Sequence, residues 1–199
     1  MTSDKDREEE SMTNDSALVM SIGTGDKKNK KAQKAFEKLV ERHKKTAYRV
    51  ALGMVGNKDD AFDISQEAFL RVYKSANTFD KSQPFLPWFY TIIANLCRTW
   101  LRRRTTHDYR MVDVDDASYL LVSDDNPEEA MIKKQQAAGL REALMELSFA
   151  DREIVVLQHF RNLSYDEIAT MLDIPRGTVM SRLYYARKRL AKLMRQNDE

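Results

Sequence analysis

The residues best equipped for bond-making chemistry are few and scattered. One cysteine, Cys97, cannot close an intramolecular disulfide, and with only His43, His107 and His159 to join it no zinc site of familiar spacing can be built. No Ser-His or Cys-His pairing is evident, and the densest acids (Asp113, Asp115, Asp116, Asp124, Asp125) fall on a polar strip that offers no rigid pair of converging carboxylates. No cofactor is implied. The chemistry left is recognition. From Arg176 to Arg195 the chain carries seven basic residues (Arg176, Arg182, Arg187, Lys188, Arg189, Lys192, Arg195) and no acid. Cations localised in this way release counterions from a phosphate backbone.

The whole chain of 199 residues has a formal net charge of only +2, which hides this organisation. Residues 31 to 105 hold 15 basic and 7 acidic side chains, whereas residues 106 to 135 hold 3 basic and 8 acidic. Two basic regions are therefore separated by an acidic strip. Solvated helix faces account for charge runs as readily as polyanion binding does, so the elements that position the charges must decide. With 6 Gly and 4 Pro, turn-rich β architectures are disfavoured and long helices are expected. The acidic N-terminus lacks an apolar signal region, and no apolar run approaches the ~18 residues of a membrane span. Together with the single cysteine, this predicts a cytoplasmic protein.

Residues 1 to 30 have no sustained periodicity and read as a mobile tail. Apolar residues at Phe36, Leu39, Val40, His43, Ala47, Val50, Ala51 and Met54 then share one helix face, and the helix ends near Gly53 to Asn57. Asp59 and Asp60 start a second helix with Ile64, Ala68 and Val72 inward. Its other side carries Asp63, Gln66, Glu67 and Arg71, an acidic and amide-bearing patch within a basic block. Asn77 to Pro87, with two prolines, is expected to be largely loop. A third helix places Phe89, Ile92, Ile93, Leu96 and Trp100 at core spacing, with Asn95, Arg98, Arg102 and Arg103 pointing away and Trp88 and Tyr90 near its start. Aromatic rings beside arginines suit unpaired bases, which stack on a ring while a guanidinium neutralises the backbone. Core packing is the plainer role for both tryptophans, more so for Trp100.

After the acidic strip, Leu140, Leu144 and Leu147 end one amphipathic helix, and Ser148 to Phe160 form the next, with Ile154, Val155, Leu157 and Phe160 inward. Ser164 and Glu167 then form a capping box that opens a helix of about two turns. Asp173 occupies the following turn and Pro175 opens a last helix with Val179, Leu183, Ala186, Leu190 and Leu193 on its buried stripe. This is a helix-turn-helix pattern, whose outer face offers Arg176, Thr178, Ser181, Arg182, Tyr184, Tyr185 and Lys188 to base edges and phosphates.

The order of these parts resembles the small extracytoplasmic-function sigma factors of bacterial RNA polymerase, which retain only the second and fourth sigma domains. Asp60-Ala-Phe-Asp-Ile-Ser-Gln-Glu-Ala-Phe-Leu-Arg71 is similar to that family's polymerase-binding helix, and Phe85-Leu-Pro-Trp-Phe-Tyr-Thr-Ile-Ile-Ala-Asn95 to its minus-ten recognition helix. Asn126-Pro-Glu-Glu129 resembles the start of its C-terminal domain, and Leu163 to Leu190 its minus-thirty-five reader. The resemblance implies an all-α fold of two small helical domains, sigma domain 2 over 31–105 and sigma domain 4 over 131–199, joined by a flexible acidic linker over 106–130. Asp63, Gln66, Glu67 and Arg71 would dock on core polymerase. Lys81, Ser82, Phe85, Trp88, Thr91, Asn95, Arg98, Arg102 and Arg103 would bind the minus-ten element, with Asn95 and the loop from Asp80 to Phe85 holding a flipped base. Ser164, Arg176, Thr178, Ser181, Arg182, Tyr184, Tyr185 and Lys188 would bind the minus-thirty-five element. The linker would thread toward the active-site and RNA-exit channel. The implied partners are core RNA polymerase, promoter DNA and an anti-sigma factor, commonly a membrane protein.

Three positions depart from the family pattern. Met180 stands where many relatives carry Lys or Arg, Tyr185 where many carry Arg, and Asp173 replaces the usual turn glycine. Aspartate is one of the few side chains enriched in the left-handed region, so the turn is expected to survive. A stand-alone DNA-binding regulator would explain Leu163 to Leu190 equally well but leave the Asp63, Gln66, Glu67 patch without a purpose. A recombinase or nuclease would need catalytic groups that the sequence does not converge.

Overall fold

Apolar spacing from Phe36 to Met54 produces one long central helix, α2 (Lys30–Val55), around which the first half assembles. Leu39, His43, Ala47, Val50, Ala51 and Met54 are buried along it, while Phe36 and Val40 pack at the margin of the core. The structure, a computed structural model, describes residues 4–23, 29–104, 127–161 and 163–197. Every regular element among them is helical: α1 (Asp4–Gly23), α2, α3 (Lys58–Ser75), α4 (Phe85–Arg104), α5 (Pro127–Glu146), α6 (Phe149–Arg161), α7 (Tyr165–Leu172) and α8 (Arg176–Asn197), with a 3-10 turn at Ala76–Thr78.

Gly56 ends α2 in the left-handed conformation, φ 74°, and donates its N–H to Leu52 O. The left-handed turn favours glycine here, and a Cβ on Gly56 would lie 2.5 Å from Sδ of the flexible Met145 side chain, which would have to shift. Asn57, rather than the aspartates that follow, caps α3 by accepting from Asp60 N at 3.0 Å. Asp59 and Asp60 complement the positive end of its dipole. The loop expected over Asn77–Pro87 is shorter than its prolines suggest. Residues 76–78 form the 3-10 turn and α4 already begins at Phe85, because Pro87 lies in the first turn, where the missing N–H has no intrahelical partner to lose.

The tail expected to be mobile is instead helical over Asp4–Gly23, and its residues 14–23 pack on the first half. Val19 and Ile22 are buried against the core, each contributing about 1.5–3 kcal/mol by area. Asp15, 1% exposed, accepts from Arg42 and lies 2.8 Å from His43 Nε2. At the end of α1, a Cβ on Gly23 would fall 2.5 Å from Ala76 O, so the helix presses directly on the 3-10 turn. One short apolar cluster, Ala17 to Met20 with Ile22, after a string of charges gives no sustained period, which is why the sequence conceals this helix.

In the second half, α6 is buried on more than one side. It packs against α2, α4 and α8, and Ile154, Val156 and Leu157 enter a core continuous with that of the first half. The side chain of Phe160 lies outside the described residues, as do His107 and the acidic strip up to Asn126. Residues 127–130, placed in the linker by sequence, are the first turn of α5. Arg152 on α6 is 7% exposed and donates to Met54 O at 2.7 Å, Met145 O at 3.0 Å and Leu147 O at 3.1 Å. One guanidinium thus satisfies carbonyls at the C-terminal ends of α2 and α5, where no intrahelical donor exists.

Replacing Asp15 by Ala leaves a buried imidazole and Arg42 without their shared carboxylate. It is expected to cost about 1–3 kcal/mol and to release α1. Thermal unfolding should show a midpoint several degrees lower, and limited proteolysis should cut N-terminal to Lys30 sooner; an unchanged cleavage pattern would show that Val19 and Ile22 alone hold the helix.

Candidate nucleic-acid interface

Three faces of the molecule collect the residues singled out by sequence. On α3, Asp63 and Gln66 are exposed, Glu67 is half-buried, and Arg71 Nε pairs with Glu67 Oε1 at 3.1 Å, so the arginine partly neutralises the patch. Phe62 and Leu70 stand exposed in the same face, 56% and 49%. Sequence reasoning passed over these two. Their spacing off the Ile64, Ala68, Val72 stripe was the available signal, since exposed bulky residues beside charges mark protein docking surfaces.

On α4, Trp88, Thr91, Asn95, Arg98 and Arg102 follow one side of the helix, away from the buried Phe89, Ile93 and Leu96. Arg103 is exposed beside them. The Thr91 hydroxyl donates to Pro87 O at 2.9 Å, and Asn95 Oδ1 accepts from Arg98 Nη1 at 2.7 Å. Trp88 is half-buried, 5.0 Å from Phe79 and 6.2 Å from Phe85 between ring centroids, so one edge packs while another stays accessible. Trp100 takes the packing role, its indole N–H donating to Asp60 Oδ1 at 2.9 Å across to α3. Phe85 does not reach the surface. It is 1% exposed and stacks on Phe89 at 5.2 Å, so the expectation that it contacts DNA is corrected: it floors the loop from inside. Tyr90, 1% exposed, is likewise core and offers no stacking platform. In the loop, Lys81 and Ser82 are exposed. Asp80 accepts from the Ser82 N–H and hydroxyl at 2.9 and 2.8 Å, and these two bonds hold its carboxyl below the usual range.

The helix-turn-helix has the local chemistry read from sequence. Ser164 Oγ accepts from Glu167 N while Glu167 Oε2 accepts from Ser164 N at 2.8 Å, completing the capping box. Asp173 adopts φ 51°, the left-handed conformation, between α7 and α8. The Ser164 hydroxyl donates to Glu167, so its proton is committed to the cap. Along α8, Arg176, Ser181, Tyr184, Tyr185 and Lys188 are exposed and Thr178 is half-buried. Arg176 lies 3.4 Å from Asp166 at the surface. Arg182 is turned partly inward, where its charge acts on Glu153 of α6.

Glu153 joins two of these faces. It is 4% exposed, and Arg98 Nη2 donates to its Oε1 at 2.8 Å while the same guanidinium lies over the Phe149 ring, 5.5 Å from the centroid. Burial raises the Glu153 carboxyl above the ordinary range, against the opposing pull of Arg98 and Arg182. The adjacent Cys97 thiol is pushed up to about 12, first by burial and then by Glu153, so it stays protonated and is neither nucleophile nor metal ligand. No motif announced Glu153, because its partner is 55 residues away.

Comparison with known proteins agrees with this division. Residues 39–106 match sigma-70 region 2 and residues 138–190 match sigma-70 region 4. The ECF RNA polymerase sigma factor SigW of Bacillus subtilis is 32% identical over 169 residues, covering 82% of this chain and 90% of the relative. This chain belongs to the extracytoplasmic-function family of RNA polymerase sigma factors. It is a promoter-recognising initiation factor that acts with RNA polymerase, and the family is one of transcription factors rather than enzymes. The RNA polymerase sigma-H factor of Pseudomonas aeruginosa is 29% identical over 186 residues, covering 90% of this chain and 93% of the relative. The fold is shared with RpoE of Bartonella quintana, solved with the anti-sigma factor NepR, at a TM-score of 0.66 and 22% identity over 81% of this chain and 98% of that one. A TM-score of 0.65 and 23% identity, over 92% and 98%, relate it to CnrH, solved with the cytosolic domain of CnrY.

Because the Glu153 carboxyl is raised in the folded protein, its contribution to stability grows as pH falls from neutral through the raised value and levels off near the ordinary 4.5. Glu153→Gln keeps an oxygen acceptor for Arg98 and removes the buried charge. Its thermal midpoint at neutral pH should equal or exceed that of the parent, and the rise in stability on mild acidification should flatten. A midpoint several degrees lower would mean that the ion pairs outweigh the burial cost.

Proposed function

We propose that the α3 face docks the sigma factor on core polymerase, that the α4 face captures bases of the minus-ten element, and that α8 reads the minus-thirty-five element. The observation that carries this reading is the alignment of Thr91, Asn95, Arg98 and Arg102 along one side of α4, outside the core and beside the Asp80 loop. Asn95 supplies amide groups to an extruded base, Trp88 an accessible ring edge, and Lys81, Arg98, Arg102 and Arg103 the cations for the displaced strand. Melting then needs no bond chemistry from the protein, since base capture itself lowers the free energy of the opened duplex. On α3, Phe62 and Leu70 give the dock an apolar centre, and Asp63, Gln66 and Glu67 give it register and sign.

In the described arrangement Arg98 is engaged by Glu153, and the charge of half-buried Arg182 acts on the same carboxyl. Binding DNA exchanges this carboxylate for phosphates, so the two halves must part before both readers engage. An anti-sigma factor that stabilises the closed arrangement would hold the protein inactive, and complexes with such partners are known for RpoE of Bartonella quintana. No helix among the described residues is long and apolar enough to cross a membrane. Action on DNA and polymerase supports a cytoplasmic location for the sigma factor.

Two variants separate docking from melting. Asn95→Ala should reduce open-complex formation, read by permanganate footprinting of the minus-ten region, while co-elution with core polymerase in gel filtration is retained. Asp63→Arg with Glu67→Arg should lower polymerase affinity at least tenfold with an unchanged thermal midpoint; parental affinity would remove α3 as the dock.

A further inference from the structure

Arg176, Met180, Tyr184 and Lys188 recur every fourth residue along the exposed side of α8. At 1.5 Å per residue the stripe spans about 18 Å, with a cation at each end and two apolar side chains in the middle. Met180 is 50% exposed and Tyr184 63%, among the few bulky apolar residues so exposed in the described structure. At the Met180 step the stripe offers no donor for base edges, the nearest on the stripe being the Tyr184 hydroxyl one turn on. Ser181 donates its hydroxyl to Thr178 O at 3.2 Å, Arg182 is half-buried, and Arg187 donates to Gln158. Met180 lines an open groove together with Tyr165, Leu183, Tyr184, Arg187 and Lys188.

We propose that Met180 is a specificity-determining residue that reads a thymine of the minus-thirty-five element through its C5-methyl group. This rests on the assignment of α8 as the minus-thirty-five reader. The charge of α8 selects the occupant: seven cations and no acid from Arg176 to Arg195 favour a polyanion over an apolar peptide. A major groove about 12 Å wide accepts the helix, and the terminal cations then reach phosphates on either side, which leaves Met180 over base edges. A thioether is only a weak acceptor and donates nothing, so it gains little from guanine, cytosine or adenine edges. The thymine methyl is the apolar feature that the groove presents. The flexible Met side chain adapts to reach it, whereas an arginine in its place would favour guanine.

The test uses the sigma factor assembled with core polymerase and promoter duplexes made by synthesis, which contain no 5-methylcytosine. Run-off transcription from a library randomised across the minus-thirty-five region first identifies the preferred bases for the parent. Each preferred thymine is then replaced singly by deoxyuridine, which removes only the methyl. With the parent, one replacement should cost about fourfold in promoter affinity, the value for one buried methyl-sized group. With Met180→Ala the same replacement should be silent, and with Met180→Gln selection at that step should move from thymine toward adenine. Both substitutions are at an exposed position, and an unchanged thermal midpoint confirms the fold. If the parent selects a minus-thirty-five sequence but deoxyuridine is silent throughout, or costs the same in parent and Met180→Ala, Met180 does not read a methyl. Absence of any selection in this region while minus-ten selection persists would instead overturn α8 as the reader, and the proposal with it.

Discussion

Three backbone carbonyls converge on the buried guanidinium of Arg152 at the junction of the two halves. Met54 O, Met145 O and Leu147 O lie at the C-terminal ends of α2 and α5, which leave their last carbonyls without amide partners. Arginine suits the position because its planar fork presents several donors in fixed directions and stays charged, complementing the negative ends of two helix dipoles. Gly56 lies against the Met145 side chain at the same junction, where an added Cβ would have to displace it. The packing of α6 on α2, and with it the relation of the second half to the first, depends on this contact.

Once α6 is seated, Glu153 follows on the adjacent residue and faces α4. Its burial is unfavourable to charge, and Arg98 and Arg182 offset that cost only in part, as the raised carboxyl shows. A carboxylate held in this way is a metastable anion on the path of two arginines that also suit phosphates. On the function proposed above, DNA, with its much higher density of negative charge, would compete with Glu153 for both guanidinium groups. Packing and recognition are coupled here through one side chain rather than through a diffuse surface field.

The remaining recognition faces are built differently. On α3, exposed apolar residues sit among acids, a mixture suited to a protein surface. On α8, exposed apolar residues sit among cations with no acid, a mixture suited to a nucleic acid groove. Charge sign thus separates two surfaces that hydrophobicity alone would class together.

Periodicity, caps and turn chemistry were legible without a structure. The stripes of α2, α3, α4 and α8, the Ser164 and Glu167 capping box and the left-handed Asp173 are local consequences of residue type at fixed spacing, and they determined the helical fold class and the faces on which Asn95 and Lys188 lie. The helix α1 was not legible, because its attachment rests on Val19, Ile22 and the single carboxylate Asp15 meeting residues of α2. The burial of Tyr90 was hidden for a related reason: an aromatic beside arginines looks the same in sequence whether its ring faces solvent or packs in the core, and the resemblance that put Phe85 on DNA says nothing of its burial here. Arg152, Glu153 and the inward turn of Arg182 belong wholly to the tertiary structure. Their partners are distant in sequence, and the free energy of a buried charge depends on which groups the fold brings within a few ångströms of it, a quantity that no local pattern encodes.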